Sequence, residues 1–182
     1  MTIEKTAIQD LILIAPTVFN DARGYFFEAF NQEKFHQNGI HYNFIQDNQS
    51  FSQKGTLRGL HYQNPPFAQT KLVRVLHGEI IDVAVDLRKD SSTFGKYFSV
   101  LLSAENKKQL LVPQGFAHGF SVLSETAVVL YKCDQYYNKE SEGGIRFDDP
   151  TLEIDWGIDL KNAIVSEKDQ ILPDFTNCNS QF

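Results

Sequence analysis

The sequence predicts an all-β protein whose antiparallel strands form a sandwich or barrel. Short runs of β-branched and aromatic residues recur along the chain, and Gly, Pro, Asn and Asp separate them. In residues 80–87 every second side chain is a branched aliphatic one, which is typical of a strand with one apolar face. With 182 residues and a hydrophobic content of 42%, the chain is expected to form one domain, residues 1–182, with a continuous core.

Nine segments have this strand-like character, and their number favours a sandwich or barrel. In chain order they are 25–30, 44–51, 57–63, 72–76, 80–87, 94–102, 108–112, 118–123 and 127–136. The dipeptide His77-Gly78 predicts a tight turn before the fifth segment. The apolar pattern thins after Pro150, so the tail is expected to pack on the β core.

Helices are expected only as short peripheral elements. One is predicted over residues 32–38, where Asn31 can cap the first turn and Gly39 can end the last. A second is predicted near residues 162–165. Residues 166–173 are expected to form a loop that leans over a pocket.

Charge and cysteine content exclude several classes of function. A net charge of −6 and a pI near 5.3 disfavour general attraction to nucleic acid or to an anionic membrane. The longest apolar runs, such as residues 11–15, are too short to span a bilayer, and the chain opens with no secretory leader pattern. Cys133 and Cys178 are too few for a disulfide framework, so both are expected to be free thiols in a cytoplasmic protein.

The first chemically suggestive segment is 56–63, where Arg58 and His61 stand three residues apart. On an ideal strand this odd spacing places the two side chains on opposite faces. Gly59 lies between them at a natural position for a β-bulge, and a bulge would turn both side chains toward one side. The alternative is that His61 is an ordinary strand histidine without a chemical role.

The second is a turn rich in Pro and Gly that carries His118 onto the next strand. Its pattern, Pro-x-Gly-x-x-His from Pro113, resembles the second half of the cupin signature. In metal-binding cupins the first half supplies His-x-His and then Glu, but here His61-Tyr62-Gln63 is followed by Lys71. A glutamine is a poor ligand and a lysine repels a cation, so no metal is expected and the pocket suits an anion.

Seven segments together resemble one cupin family, the dTDP-4-dehydrorhamnose 3,5-epimerases. They are DARGYFFE at 21–28, QDN at 46–48, LRGLH at 57–61, KLVR at 71–74, VPQGFAHG at 112–119, EGGIR at 142–146 and KD at 168–169. The resemblance implies a jelly-roll fold and a homodimer in which the first strands join the neighbour's sheet. It also implies epimerisation, without a cofactor, at C3 and C5 of dTDP-4-dehydro-6-deoxy-D-glucose. The product, dTDP-4-dehydro-L-rhamnose, belongs to dTDP-L-rhamnose biosynthesis.

The same resemblance implies four catalytic residues. His61 is the base, and Asp169 orients its ring. Lys71 stabilises the enolate that forms when a proton next to the C4 ketone is removed. Tyr131 is the acid, and a nearby cation is expected to make its phenol give up the proton more readily.

The other residues implied by the resemblance bind the substrate. They are Phe19, Arg23, Glu28, Gln46, Asn48, Arg58, His118, Tyr137, Glu142 and Lys168. Arginine is well shaped for paired phosphate contacts, so Arg23 and Arg58, with Lys168, suit the diphosphate. Tyr137 is expected to stack on thymine and Phe19 to cover its other face. Arg23 and Glu28 are expected to complete the partner's site.

Three other functions remain open from the residues alone. A related enzyme could epimerise only one carbon, C3 or C5, or act as a 3,4-ketoisomerase on a related dTDP-keto-sugar. A metal-dependent cupin oxygenase or isomerase could use His61 and His118. A binding module without catalysis is also compatible with the fold class, because a fold does not fix a function.

Overall fold

Two antiparallel sheets face each other in the computed structural model, which describes residues 1–182. The strands are β1 (Thr2–Lys5), β2 (Ile12–Ala15), β3 (Phe19–Asp21), β4 (Gly24–Phe26), β5 (Gln46–Gln53), β6 (Thr56–Gln63), β7 (Lys71–His77), β8 (Glu79–Asp86), β9 (Tyr97–Ser103), β10 (Gln109–Val112), β11 (Phe116–Val122), β12 (Thr126–Cys133), β13 (Glu142–Gly144) and β14 (Ile164–Val165). The helices are α1 (Gln32–Gln37) and α2 (Glu167–Gln170), with three short 3-10 turns at Lys139–Ser141, Leu160–Asn162 and Phe175–Asn177. No helix is long and apolar enough to cross a membrane.

The strand order is that of a jelly roll. The first sheet runs β1-β2-β10-β7-β12-β5, and the second runs β13-β6-β11-β8-β9 with β14 parallel to β6. Strands that are neighbours in a sheet are mostly distant in sequence, so the chain crosses repeatedly between the two layers. The hairpin of β3 and β4 belongs to neither sheet.

Apolar side chains from both sheets fill one half of the interior. Val73 and Val129 of the first sheet pack with Ala84 and Phe120 of the second sheet in a cluster of 15 buried residues. Full burial of one such aliphatic or aromatic side chain stabilises a fold by about 1.5–3 kcal/mol. The other half of the interior is polar, and it contains the candidate site described below.

A second cluster covers the outer face of the second sheet. Val83 and Val85, on the apolar face predicted for residues 80–87, pack there with Ile145, Ile154 and Trp156. The prediction that the tail packs on the β core is therefore confirmed. The opposite face of β8 is buried as well, because it lines the jelly-roll interior.

The predicted elements match the structure where the local signals are strong. Each of the nine predicted strand segments overlaps an observed strand, although 25–30 is extended only over Gly24–Phe26. The first helix is confirmed, since Asn31 accepts a hydrogen bond from the Lys34 backbone N–H at 3.1 Å. Gly39 follows the helix at a φ of +79°, a conformation that favours glycine.

Near the C-terminus one prediction is wrong and a second is confirmed only in part. The helix predicted at 162–165 is the end of a 3-10 turn followed by β14, because Ile164–Val165 pairs in parallel with Thr56 and Leu57 of β6. The segment 166–173 does line a pocket, through Ser166, Lys168 and Asp169, as predicted. It is not wholly a loop, because it contains the one-turn helix α2, which Ser166 caps by accepting from the Asp169 backbone N–H at 3.1 Å. This turn fixes the position of Asp169.

Candidate active site

A β-bulge in β6 positions the first two site residues. Arg58 pairs with Phe120 of β11 and His61 pairs with His118, so three residue steps on β6 oppose two on β11. Gly59 lies in the bulge at a φ of +110°. A Cβ there would be 2.6 Å from the carbonyl oxygen of His118, so the close approach of the strands requires glycine.

The bulge places Arg58 and His61 on the same face. Leu57, Leu60 and Tyr62 all belong to the outer cluster of the second sheet, so the extra residue shifts the alternation by one position. Arg58 and His61 consequently both line the interior cleft, despite their odd spacing. The predicted bulge and its effect on the two side chains are confirmed.

The cleft has two lobes that share five residues. The bulge lobe, about 640 Å³, extends toward Ser52, Ile164 and α2. The tyrosine lobe, about 580 Å³, extends toward Gln46 and Tyr137. The residues common to both lobes are Ser50, Arg58, His61, Lys71 and Tyr131. Three of the four predicted catalytic side chains therefore lie where the lobes meet.

His61 forms the predicted contact with Asp169. The imidazole Nε2 lies 2.7 Å from Oδ1 of Asp169, whose other oxygen accepts a hydrogen bond from the Gly59 backbone N–H at 3.2 Å. Burial alone would raise the pKa of Asp169, but the hydrogen bonds from His61 and Gly59 outweigh it and lower the pKa. The arrangement favours a carboxylate that can orient the imidazole and stabilise its protonated form.

Lys71 projects into the interior from the start of β7. Its Nζ lies 6.0 Å from the ring centroid of Tyr131, and it makes no ion pair within the chain. Burial lowers the pKa of the Lys71 ammonium, while Cys133, Asp82 and Glu142 act in the opposite direction. This cation is therefore partly desolvated and is not neutralised by a contacting carboxylate.

Tyr131 stands on β12, across the interior from His61 on β6. Burial raises the pKa of its phenol above the ordinary value. The expected effect of a nearby cation is present, since Arg58 lowers this pKa, but desolvation of the phenolate outweighs it and the net shift is upward. Tyr131 is thus held as a neutral phenol, which can donate a proton.

Polar side chains of β5 line the tyrosine lobe, as predicted from the alternation of side chains along a strand. Gln46 and Asn48 both face inward, and the Gln46 amide donates to Oδ1 of Asn48 at 3.1 Å. Asp47, between them, faces outward and pairs with Lys132 at 2.9 Å. The inward amides can donate to and accept from a polar ligand.

Glu142 contacts two other residues that are predicted to bind the substrate. Its Oε2 pairs with Nζ of Lys168 at 2.6 Å and accepts a hydrogen bond from the Tyr137 hydroxyl at 2.9 Å. Burial alone would raise the pKa of Glu142, but these two contacts outweigh it and lower the pKa. An anion that uses Lys168 must therefore compete with Glu142.

Two further residues that are predicted to bind the substrate form hydrogen bonds within the protein. Arg58 donates from Nε to the Ser52 hydroxyl at 3.0 Å and from Nη2 to the Phe51 carbonyl at 3.3 Å, which links β6 to β5. His118 is 7% exposed and lies 2.8 Å from Oδ1 of Asp82 through its Nε2. Its ring forms part of the wall of the bulge lobe.

Asp82 is a buried residue behind the cleft wall that sequence reasoning did not single out. On β8 it belongs to the face opposite the predicted apolar face of residues 80–87. In the structure that face is the jelly-roll interior, and Asp82 is completely buried. The available signal was the pair of carboxylates, Asp82 and Asp86, on that face of an otherwise aliphatic run.

The structure does not bring Phe19, Arg23 and Glu28 to the cleft of the same chain. Phe19 and Arg23 lie in and beside the β3–β4 hairpin, which pairs with neither sheet, and Arg23 contacts Asp21 at 2.6 Å. Glu28 pairs with Lys34 of α1. The expectation that Arg23 and Glu28 complete the partner's site, and that Phe19 covers thymine, stays a prediction.

The fold and the cleft define a cupin-type jelly-roll protein with acid–base side chains in its interior. The family model described as dTDP-4-dehydrorhamnose 3,5-epimerase matches residues 5–177. The chain belongs to the dTDP-4-dehydrorhamnose 3,5-epimerase family, whose members are isomerases.

Several individual proteins are similar to this chain. The dTDP-4-dehydrorhamnose 3,5-epimerase of Shigella flexneri is 52% identical over 170 residues, which are 93% of each chain. The crystal structure of the Elizabethkingia anophelis enzyme has a TM-score of 0.93 at 56% identity and covers 97% of each chain. The Legionella pneumophila structure in complex with dTDP-4-keto-L-rhamnose has a TM-score of 0.92 at 47% identity, covering 97% of this chain and 93% of that one. A 3'-monoepimerase from Streptomyces bikiniensis is more distant, with a TM-score of 0.87 at 30% identity over 93% of this chain and 85% of that one.

Proposed function

We propose that this protein inverts C3 and C5 of dTDP-4-dehydro-6-deoxy-D-glucose and releases dTDP-4-dehydro-L-rhamnose. The observation that carries the proposal is the meeting of His61, Lys71 and Tyr131 at the junction of the two lobes. Both carbons flank the C4 ketone, so each inversion requires a base, a group that stabilises an enolate, and an acid.

His61 removes the proton in the proposed first step. The imidazole becomes an imidazolium, and the contact of 2.7 Å with Asp169 stabilises that charge and fixes the ring orientation. General base catalysis by a positioned side chain contributes about 10²–10⁴-fold in rate. The lowered pKa of Asp169 supports this role, since the orienting group must remain a carboxylate.

Lys71 stabilises the enolate in the proposed second step. Negative charge develops on the C4 oxygen only as the proton leaves, so an ammonium there interacts more strongly with the transition state than with the ketone. Its position away from any contacting carboxylate supports the assignment, because its charge is available to the substrate.

Tyr131 returns a proton in the proposed third step. It stands on the first sheet and His61 on the second, so the two groups approach a ring in the interior from opposite walls. Inversion requires this arrangement, because proton removal and return must occur on opposite faces of the carbon. The raised pKa of Tyr131 supports an acid that is protonated at neutral pH.

The nucleotide half of the substrate occupies the rim of the cleft in this proposal. Arg58 and Lys168 bind the diphosphate, and Tyr137 stacks on thymine. To bind the diphosphate, the Lys168 ammonium breaks its ion pair with Glu142 and pairs with a phosphate oxygen instead. The protein works as a homodimer in which Phe19 and its hairpin reach the partner's cleft. The exposure of Phe19, Tyr25 and Phe26 at 62%, 59% and 67% supports a covering subunit.

The proposal also covers the domain organisation, the cellular location and the pathway of this protein. Residues 1–182 act as one domain, since the interior cluster joins residues from Ile8 to Val129. The protein works in the cytoplasm, where Cys133 and Cys178 remain free thiols, as they are in the structure. Its product enters dTDP-L-rhamnose biosynthesis.

Incubation with the dTDP-keto-sugar in heavy water tests the proposed reaction. Deuterium at both C3 and C5, with the product trapped by the reductase that consumes it, is the expected result by NMR. Deuterium at one carbon would identify a single-carbon epimerase, and a carbonyl at C3 would identify a ketoisomerase. Absence of deuterium at both carbons would leave only binding.

A further inference from the structure

Asp82 is a buried carboxylate next to the proposed catalytic groups. None of the three proposed steps, which are proton removal, enolate stabilisation and proton return, uses it. It is completely buried on the inward face of β8, between Ile80 and Ala84. Oδ1 lies 2.8 Å from Nε2 of His118, and Oδ2 has no hydrogen-bond partner. A buried carboxylate oxygen without a protein partner costs stability, so Asp82 is not explained by packing alone.

The surroundings of Lys71 suggest that role. Titratable groups from five strands line the same lobes as Lys71 or act on its pKa: Tyr131 and Cys133 from β12, Asp82 from β8, His118 from β11, Arg58 and His61 from β6 and Glu142 from β13. Cys133 is a neutral thiol, because burial raises its pKa to about 11. Glu142 is already paired with Lys168. Asp82 is therefore the carboxylate with a free oxygen.

We propose that Asp82 is a positioning residue, which retains Lys71 as an ammonium and holds the His118 ring against the cleft wall. Its catalytic consequence rests on the proposed epimerase function. An ammonium removed from water loses its proton more easily, and a negative charge nearby in a low-dielectric interior opposes that loss. The effect acts through space, since no carboxylate lies within ion-pair distance of Lys71.

Asp82→Asn tests this proposal, because the amide keeps the shape and can still accept a hydrogen bond from His118. Loss of the charge should move the alkaline limb of the kcat profile to lower pH by about one unit. The affinity for dTDP should stay within about twofold, because the nucleotide contacts lie on the rim. If the variant does not fold, as judged by near-UV circular dichroism, Asp82→Ser is measured in the same way.

Asp86→Asn is the matched control. Asp86 is also completely buried on β8, but its oxygens are occupied by Arg88, Ser91 and Thr93. Its replacement should lower the melting temperature without moving the alkaline limb. A shift of the same size in both variants would overturn the proposal, since it would reflect a general effect of strand β8.

A titration of Lys71 itself provides a readout that does not depend on turnover. The protein is labelled with ¹³C at the lysine ε-carbons, and Lys71→Arg identifies the Lys71 resonance by its loss. The midpoint should fall by about one unit in Asp82→Asn. An unchanged midpoint would overturn the proposal even if the keto-sugar reaction is present, and a shifted midpoint would support it even if that reaction is absent.

Discussion

Replacing Asp169 by Asn removes one charge from the His61 pair and leaves the shape of the site nearly unchanged. The asparagine can still accept a hydrogen bond from the Gly59 backbone N–H, so the bulge should be preserved. The carboxylate is buried, whereas the His61 side chain is 29% exposed and remains partly solvated. The variant therefore isolates the electrostatic contribution of the carboxylate to protonation of the imidazole.

The magnitude follows from the contact of 2.7 Å between Nε2 and Oδ1. With charge centres about 4 Å apart and an effective dielectric constant of about 20, the attraction is about 4 kcal/mol. Partial exposure of the imidazole reduces this by about a third to a half, which leaves about 2–3 kcal/mol. A loss of this size in the transition state lowers kcat by about 30- to 150-fold.

The assay is the rate of deuterium incorporation at C3 and C5 in heavy water, together with the affinity for dTDP. Asp174→Asn is the control, since Asp174 contacts only Thr176 and Asn177 in the same C-terminal segment. We expect Asp174→Asn to retain the wild-type rate and both variants to bind dTDP normally. An Asp169→Asn rate within about threefold of wild type would refute the electrostatic role.

Three further predictions concern the bulge, the acid stability and the rim of the cleft. Gly59→Ala should lower the free energy of unfolding by about 2–3 kcal/mol in a urea titration, because the added Cβ meets backbone at a positive φ. Hydrogen bonds to Asp86 outweigh the effect of burial and lower its pKa to about 2 from 3.8, so the stability it contributes is present above pH 4. About 2 kcal/mol should be lost as the pH falls from 4 to 2, and this loss should be absent in Asp86→Asn. Glu142→Gln should raise the affinity for dTDP by about threefold in calorimetry, because the exposed Lys168 ammonium no longer pairs with a carboxylate.

Each of these predictions has an outcome that contradicts it. Wild-type stability in Gly59→Ala would show that the strands can separate at the bulge without cost. The same acid dependence in Asp86→Asn and wild type would assign the loss to other carboxylates. Weaker dTDP binding in Glu142→Gln would mean that Glu142 contacts the nucleotide instead of competing with it.

The sequence was sufficient for most of the β framework and for the central part of the site. Gly59 predicted the bulge because no other residue tolerates that backbone so readily, and the bulge in turn explains how Arg58 and His61 share a face. The shared orientation of Gln46 and Asn48 followed from their separation of two residues on a strand. These features depend on local backbone geometry, which a sequence encodes directly.

Other features depend on contacts that are distant in sequence. The buried position of Asp82 was not predicted, because a period of two cannot tell a solvated face from a polar interior. β1 was not predicted, since Thr2–Lys5 is a polar edge strand that forms by pairing with β2. The raised pKa of Tyr131 depends on its burial between two sheets, which no spacing of residues reveals.

The most direct test distinguishes the proposed role of His61 as the base from that of Tyr131 as the acid. Exchange and inversion are followed together by NMR in heavy water for His61→Asn and Tyr131→Phe with the dTDP-keto-sugar. The account predicts that His61→Asn loses exchange at C3 and C5, whereas Tyr131→Phe still exchanges but forms little inverted product. Exchange at the wild-type rate in His61→Asn, or normal inversion in Tyr131→Phe, would contradict it.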